Sequence, residues 1–157
     1  MRTASFAAWL LLTSVGMASA ADFTSITVER TVERPADAVW AKVGPFCAIG
    51  DWYKVTCEYI SGAGDLGTVR LAGGIREVLV AKAAHSYTYT LAQPDPIMYF
   101  GTLSVVPLGP SKSKVIYAVL WNQEKLPTAK AKAEEKAQKT ESFSHALDDI
   151  KKFAEGK

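Results

Sequence analysis

Residues Glu33 to Cys57, ERPADAVWAKVGPFCAIGDWYKVTC, restrict this chain more than any other stretch. Pro35 suits the first position of a helix, where its missing N–H costs nothing. Ala36, Val39, Trp40 and Val43 follow at i, i+3, i+4 and i+7, one apolar helical face. Gly44 and Pro45 end that helix, since glycine tolerates a left-handed cap and proline cannot continue it. Phe46, Ile49 and Trp52, spaced by three, mark a second short amphipathic helix. The stretch therefore predicts two small helices meeting at a tight corner and delivering an aromatic pair, Trp52 and Tyr53. Strand-like sequence precedes the corner, a long run of strands follows it, and one long helix closes the chain.

Ile26, Val28 and Val32 mark the buried face of a first strand over residues 23–32. After the corner, residues 54–61 read as a second strand and Gly62-Ala63-Gly64-Asp65 as a turn. Residues 68–72 form a third strand, Gly73-Gly74 is a hairpin signal, and residues 75–81 form a fourth. The fifth, HSYTYTLA over 85–92, has the cleanest alternation: Tyr87, Tyr89 and Leu91 on one face, Ser86, Thr88 and Thr90 on the other. Gln93-Pro94-Asp95-Pro96 breaks it. Residues 99–106 and 114–122 supply two more strands across the turn-rich segment 107–112. Short connections after the second strand imply an antiparallel meander. From Thr128, a helix cap, the composition turns to Ala, Lys and Glu. Phe143, Ala146, Leu147, Ile150 and Phe153 or Ala154 then make one apolar stripe that must lie on the sheet.

Residues 1–20 read as a secretory leader: Arg2, an apolar run from Phe6 to Val15, and the small-residue site Ala18-Ser19-Ala20. The expected mature chain, residues 21–157, is one domain with room for a core. Its formal charge falls from +2 to +1 without Arg2, with both signs interspersed, so nucleic-acid binding has no electrostatic footprint. No later stretch is apolar enough to span a membrane. Export favours a disulfide between the only two cysteines, Cys47 and Cys57, because oxidation persists there. A metal site would need more ligands than His85 and His145 supply, and a catalytic Cys–His pair lacks a flanking motif.

The order of strand, two short helices, six strands and long helix resembles the START/polyketide-cyclase-like superfamily, SRPBCC. The residues that carry the resemblance are Pro35 to Trp40, Phe46 to Trp52, Gly67-Thr68-Val69-Arg70, Gly74 to Val80, Ser86 to Thr90, Gly101 to Val105 and Ser113-Lys114-Val115. The polyketide cyclase/dehydrase-like branch is the most similar. The resemblance implies a helix-grip fold of class α+β: a seven-stranded curved antiparallel sheet around a long C-terminal helix, with a cavity between them and two short helices after strand one. It implies no single chemistry, because relatives include the birch-pollen allergen, plant hormone receptors, lipid-transfer domains and aromatic cyclases. One departure matters: the branch often has His-Pro after the residue matching Trp52, whereas Tyr53-Lys54 follow here.

In that frame Trp52, Tyr53, Tyr87, Tyr89, Tyr99, Tyr117, Trp121, Phe143 and Leu147 converge beneath the last helix. They line a cavity for an apolar ligand, or they fill a core. Gly101 leaves room on its face for a ligand or for close backbone packing. Glu77, the one catalytic candidate, would act as an acid or base, or anchor a ligand hydroxyl, if it points inward. A surface ion pair beside Arg70 and Arg76 is the favoured alternative. His85 and His145 read as solvated, and the run from Lys125 to Lys139 as a solvated helical face.

The leading expectation is a monomeric, periplasmic or secreted protein that binds a small hydrophobic ligand, lipid or aromatic, without cofactor or metal. The alternatives are a cyclase- or dehydratase-like enzyme using the same cavity, and an interaction module with a filled core.

Overall fold

The computed structural model describes residues 21–157; the leader expected over residues 1–20 lies outside them. The elements are β1 (Phe23–Val32), α1 (Ala36–Val43), α2 (Ile49–Trp52), β2 (Cys57–Ser61), β3 (Val69–Ala72), β4 (Ile75–Ala83), β5 (Ser86–Leu91), β6 (Phe100–Gly109), β7 (Lys112–Asn122) and α3 (Ala129–Glu155). The strands form one sheet in the order β1-β7-β6-β5-β4-β3-β2, every pair antiparallel. Strands β2 to β7 are the expected meander, and β1 adds beside β7, with Phe23 opposite Asn122 and Val32 opposite Ser113. Consecutive strands β1 and β2 thus lie at opposite edges of the sheet. The corner carrying α1 and α2 is the crossing between them, which is why its sequence dominates the architecture.

One face of the sheet is buried. Ile26 and Val28 of β1, Leu103 and Val105 of β6, and Val115, Tyr117, Val119 and Trp121 of β7 point to the same side. Val39 and Val43 of α1 and Leu147 and Ile150 of α3 close on it, all four inaccessible to solvent. The stripe expected on α3 is this contact.

Two details of the corner differ from expectation. Gly44 is right-handed, φ −75°. A Cβ there would stand 2.4 Å from the Trp40 ring, so the position is small because an indole occupies the space. Residues 54–56 are not strand: Lys54 takes a left-handed φ of 57°, which turns the chain before β2 begins at Cys57.

Polar tethers fix α3 to β1. Thr128 Oγ1 caps its start by accepting from Ala131 N–H at 3.1 Å, and Gly156 ends it with φ 77°. Along its length Arg30 Nε donates to Asp148 at 2.7 Å, Lys151 Nζ donates to the Thr31 carbonyl at 2.6 Å, and Glu33 N–H donates to Glu155 Oε1 at 3.1 Å. Lys157 Nζ also donates to Glu155, at 2.7 Å.

These donors lower the Glu155 pKa to about 2, the Lys157 bond contributing most. A carboxyl whose folded pKa is depressed stabilises the fold above its unfolded value and loses that contribution as pH falls through the folded one. Glu155→Gln is therefore expected to reduce the loss of stability between about pH 4.5 and pH 2. Denaturant midpoints of both proteins across that range check it; equal slopes would show that Glu155 contributes nothing.

Cys47 and Cys57 form a disulfide, with Cα atoms 5.5 Å apart. It joins the segment before α2 to the first residue of β2 and closes the corner covalently. Reduction should destabilise the protein by about 2–3 kcal/mol for a loop of this length, less any strain it relieves. Denaturant melts with and without a phosphine reductant measure this directly.

Candidate ligand cavity

The site is built on Gly101. On the inner face Tyr89 of β5 pairs with Gly101 of β6, and Gly101 pairs with Val119 of β7. Gly101 has no side chain, and the Tyr89 ring lies across it: a Cβ there would be 2.5 Å from Tyr89 Cζ. The phenol therefore reaches over β6, and its hydroxyl meets that of Tyr117 on β7 at 2.7 Å. The Tyr99 hydroxyl, from the residue before β6, stands 3.3 Å from the same oxygen. The room at Gly101 thus serves a side chain of the protein itself. Burial raises the pKa of all three phenols above its ordinary value, so each keeps its proton at neutral pH.

A charged pair flanks the trio. Arg70 of β3 and Glu77 of β4 are directly opposite each other, and Arg70 Nε donates to Glu77 Oε2 at 2.6 Å. Arg70 Nη1 donates to the Phe46 carbonyl. The guanidinium carbon lies 4.0 Å from the Phe46 ring centroid and 5.1 Å from that of Tyr89, within cation–π range. Arg70 is wholly buried and Glu77 is 8% exposed.

The surface ion pair expected for Glu77 is thus overturned. Both side chains lie on the inner face, and Arg70 joins the sheet to the corner. Burial pushes the Glu77 pKa up while Arg70 pulls against it, the balance remaining upward. Burial works against the Arg70 cation, but Tyr87, Glu77 and Tyr117 more than offset it, and its pKa is raised.

A cavity of about 550 Å³ lies between this face and α3. The corner contributes Ile49, Trp52, Tyr53 and Val55; the β3–β4 hairpin contributes Ala72, Gly73, Ile75 and Glu77. Tyr89, Leu91, Ile97, Tyr99 and Tyr117 form the sheet side, and Lys139, Ser142, Phe143 and Ala146 the helix side. Tyr53 and Ile75 are both exposed and both line it, which places its mouth between the corner and the hairpin. The Phe143 ring centroid stands 4.7 Å from that of Tyr117.

Of the nine side chains expected here, Trp52, Tyr53, Tyr89, Tyr99, Tyr117 and Phe143 line the cavity. Tyr87, Trp121 and Leu147 do not; they are core. Tyr87 packs on Trp40 and Phe46, while Trp121 Nε1 donates to Glu135 at 2.7 Å under α3.

The expectation of a solvated face over residues 125–139 fails at Lys139, which lines the cavity. The signal was present: positions 139, 142, 143 and 146 share one helical face. His85 lies outside the cavity, 2.7 Å from Asp37, and His145 is exposed. Among the described residues no group of three or more His, Cys, Asp or Glu is placed to hold a metal ion, and no helix is long and apolar enough to cross a membrane.

Residues 24–152 match the family described as polyketide cyclase/dehydrase and lipid transport. The chain belongs to that family. No curated protein sequence matches it. Its helix-grip fold is shared with a solution structure from Thermobifida fusca, 24% identical with TM-score 0.67 over 83% of this chain and 92% of that one. Norcoclaurine synthase from Thalictrum flavum, solved with dopamine and hydroxybenzaldehyde, is 19% identical with TM-score 0.64 over 93% and 95% of the two chains. Ara h 8.0201 is 15% identical with TM-score 0.60 over 86% and 99%. Membership in the family and this fold fit a ligand-binding protein, and a cavity of this lining is where such a ligand would sit.

Proposed function

We propose that this family member binds a small hydrophobic molecule, lipid or aromatic, in the cavity under α3, and that it does so outside the cytoplasm after loss of residues 1–20. The observation that carries the reading is the cavity itself: about 550 Å³, walled by Trp52, Tyr89, Tyr99, Tyr117, Phe143 and aliphatic neighbours. That size and composition suit a ligand with an extended apolar body. Norcoclaurine synthase, solved with two small aromatics, offers the same fold as a container for such molecules. The Cys47–Cys57 disulfide supports an oxidising compartment.

Trp52 lines the cavity, so fatty acids and polycyclic aromatics are expected to change the tryptophan emission saturably. A broad panel without saturable change would leave the filled-core alternative. The inward Glu77 beside the tyrosines supports a second reading, a cyclase- or dehydratase-like enzyme. Mass spectrometry of the ligand after prolonged incubation separates the two: unchanged ligand supports binding, and a product of altered mass or ring count supports catalysis.

A further inference from the structure

We propose that the ligand of this cavity carries a hydroxyl, alcoholic or phenolic, on its apolar body, and that Glu77 and the tyrosine trio hold that group between them. The inference rests on the binding reading above and narrows it to one ligand chemistry.

Two of the unmet valences in the wall point to it, beside the Trp52 Nε1 donor, which is partnerless among the described residues. Glu77 Oε2 is taken by Arg70. Oε1 accepts no hydrogen bond among the described residues, while the side chain keeps 10% of its accessibility and lines the cavity. It is an acceptor without a donor. The trio supplies the opposite. Three protonated phenols hold three protons, and their two contacts, Tyr99 to Tyr89 and Tyr89 to Tyr117, use two. Whichever way the chain of bonds runs, one O–H stays unspent, and all three residues line the cavity.

Glu77 and Tyr89 both line one cavity, from paired strands. Glu77 is opposite Leu91 on β5, and Tyr89 lies two residues along on the same face, the diagonal position in an antiparallel pair. A hydroxyl donates to the carboxylate and accepts from the phenol at once. A hydrocarbon satisfies neither, and an acid head would meet the negative charge of Glu77. The cationic residue in the lining, Lys139, sits on α3 and would take such an acid head instead.

Three nearly isosteric probes test this by titration calorimetry: 2-naphthol, 2-methylnaphthalene and 2-naphthoate. The expected result is binding of 2-naphthol about tenfold or more above 2-methylnaphthalene, from a hydrogen bond to a charged acceptor. The ratio should collapse towards unity in Arg70→Met/Glu77→Met, which removes the acceptor together with its counter-charge. The wild-type ratio stands as a test even if that variant does not fold. Equal binding of the hydroxyl and methyl probes overturns the inference but leaves the cavity reading intact. Tightest binding of 2-naphthoate also overturns it and gives the head group to Lys139. A ratio that survives in the variant removes Glu77 from the site. No binding by any of the three overturns this inference, and the cavity reading is then decided by the fatty-acid and polycyclic panel.

Discussion

Replacing Arg70 by methionine is expected to cost the fold about 3–5 kcal/mol, the penalty of leaving a buried charge without its partner. Arg70 is inaccessible and meets Glu77, the Phe46 carbonyl and two aromatic rings at once. Without it the Glu77 carboxylate faces only burial, which drives its pKa further up. A carboxyl raised in the folded state favours folding while protonated and opposes it once ionised. The deficit should therefore be largest above the raised folded pKa and shrink as pH falls from there towards the ordinary carboxylate value, about 4, where the carboxyl is protonated in both states. Adding Glu77→Met should restore most of the loss, because exchanging both members of a buried pair for apolar groups is often neutral. Denaturant midpoints of the single and double variants at pH 7 and pH 4 check all three statements. A single variant as stable as the parent at pH 7 would show that the pair has no energetic weight.

Leu147→Ala is expected to cost about 2–5 kcal/mol. Leu147 is fully buried at the centre of the α3 stripe, between Phe143 and Ile150. It does not line the cavity, so its removal opens a void in packed core rather than enlarging a space already present. His145→Ala, two residues away on the exposed face, should leave the denaturant midpoint unchanged and serves as the control. A Leu147→Ala midpoint within error of the parent would mean that α3 is not docked on the sheet.

Most of the fold was legible because its signals are local. Alternation in Tyr87–Tyr89–Leu91 and in Val115–Tyr117–Val119–Trp121 gave both strands and their buried faces. The spacing of Ala146, Leu147 and Ile150 gave the docked side of α3. Glu77 was misread because β4 carries apolar residues on both faces: Leu79 points inward, while Val80 is 43% exposed on the other side. Parity cannot choose a face in such a run. Yet part of the pair was readable. A two-residue turn at Gly73-Gly74 places Arg70 opposite Glu77, since both lie equally far from it. That register predicts the contact, and only the packed sheet says which side it is on.

The boundary between cavity and core had no local signal at all. Tyr87 and Tyr89 share a strand face, as do Tyr117 and Trp121, and one of each pair meets the cavity while the other meets packed side chains. That division depends on where α3 and the corner close on the sheet, through contacts far apart in sequence.

The missing Cβ at Gly101 also constrains how this protein can vary. Any side chain at 101 collides with the ring of Tyr89, while a shorter residue at 89 vacates that space and frees the glycine. Positions 89 and 101 are therefore coupled: a side chain at 101 requires the Tyr89 ring to move, and loss of the tyrosine frees the glycine. Because the Tyr89 hydroxyl bonds those of Tyr99 and Tyr117, such an exchange would dissolve the phenol chain in a single step and recast the polar end of the cavity for a different molecule.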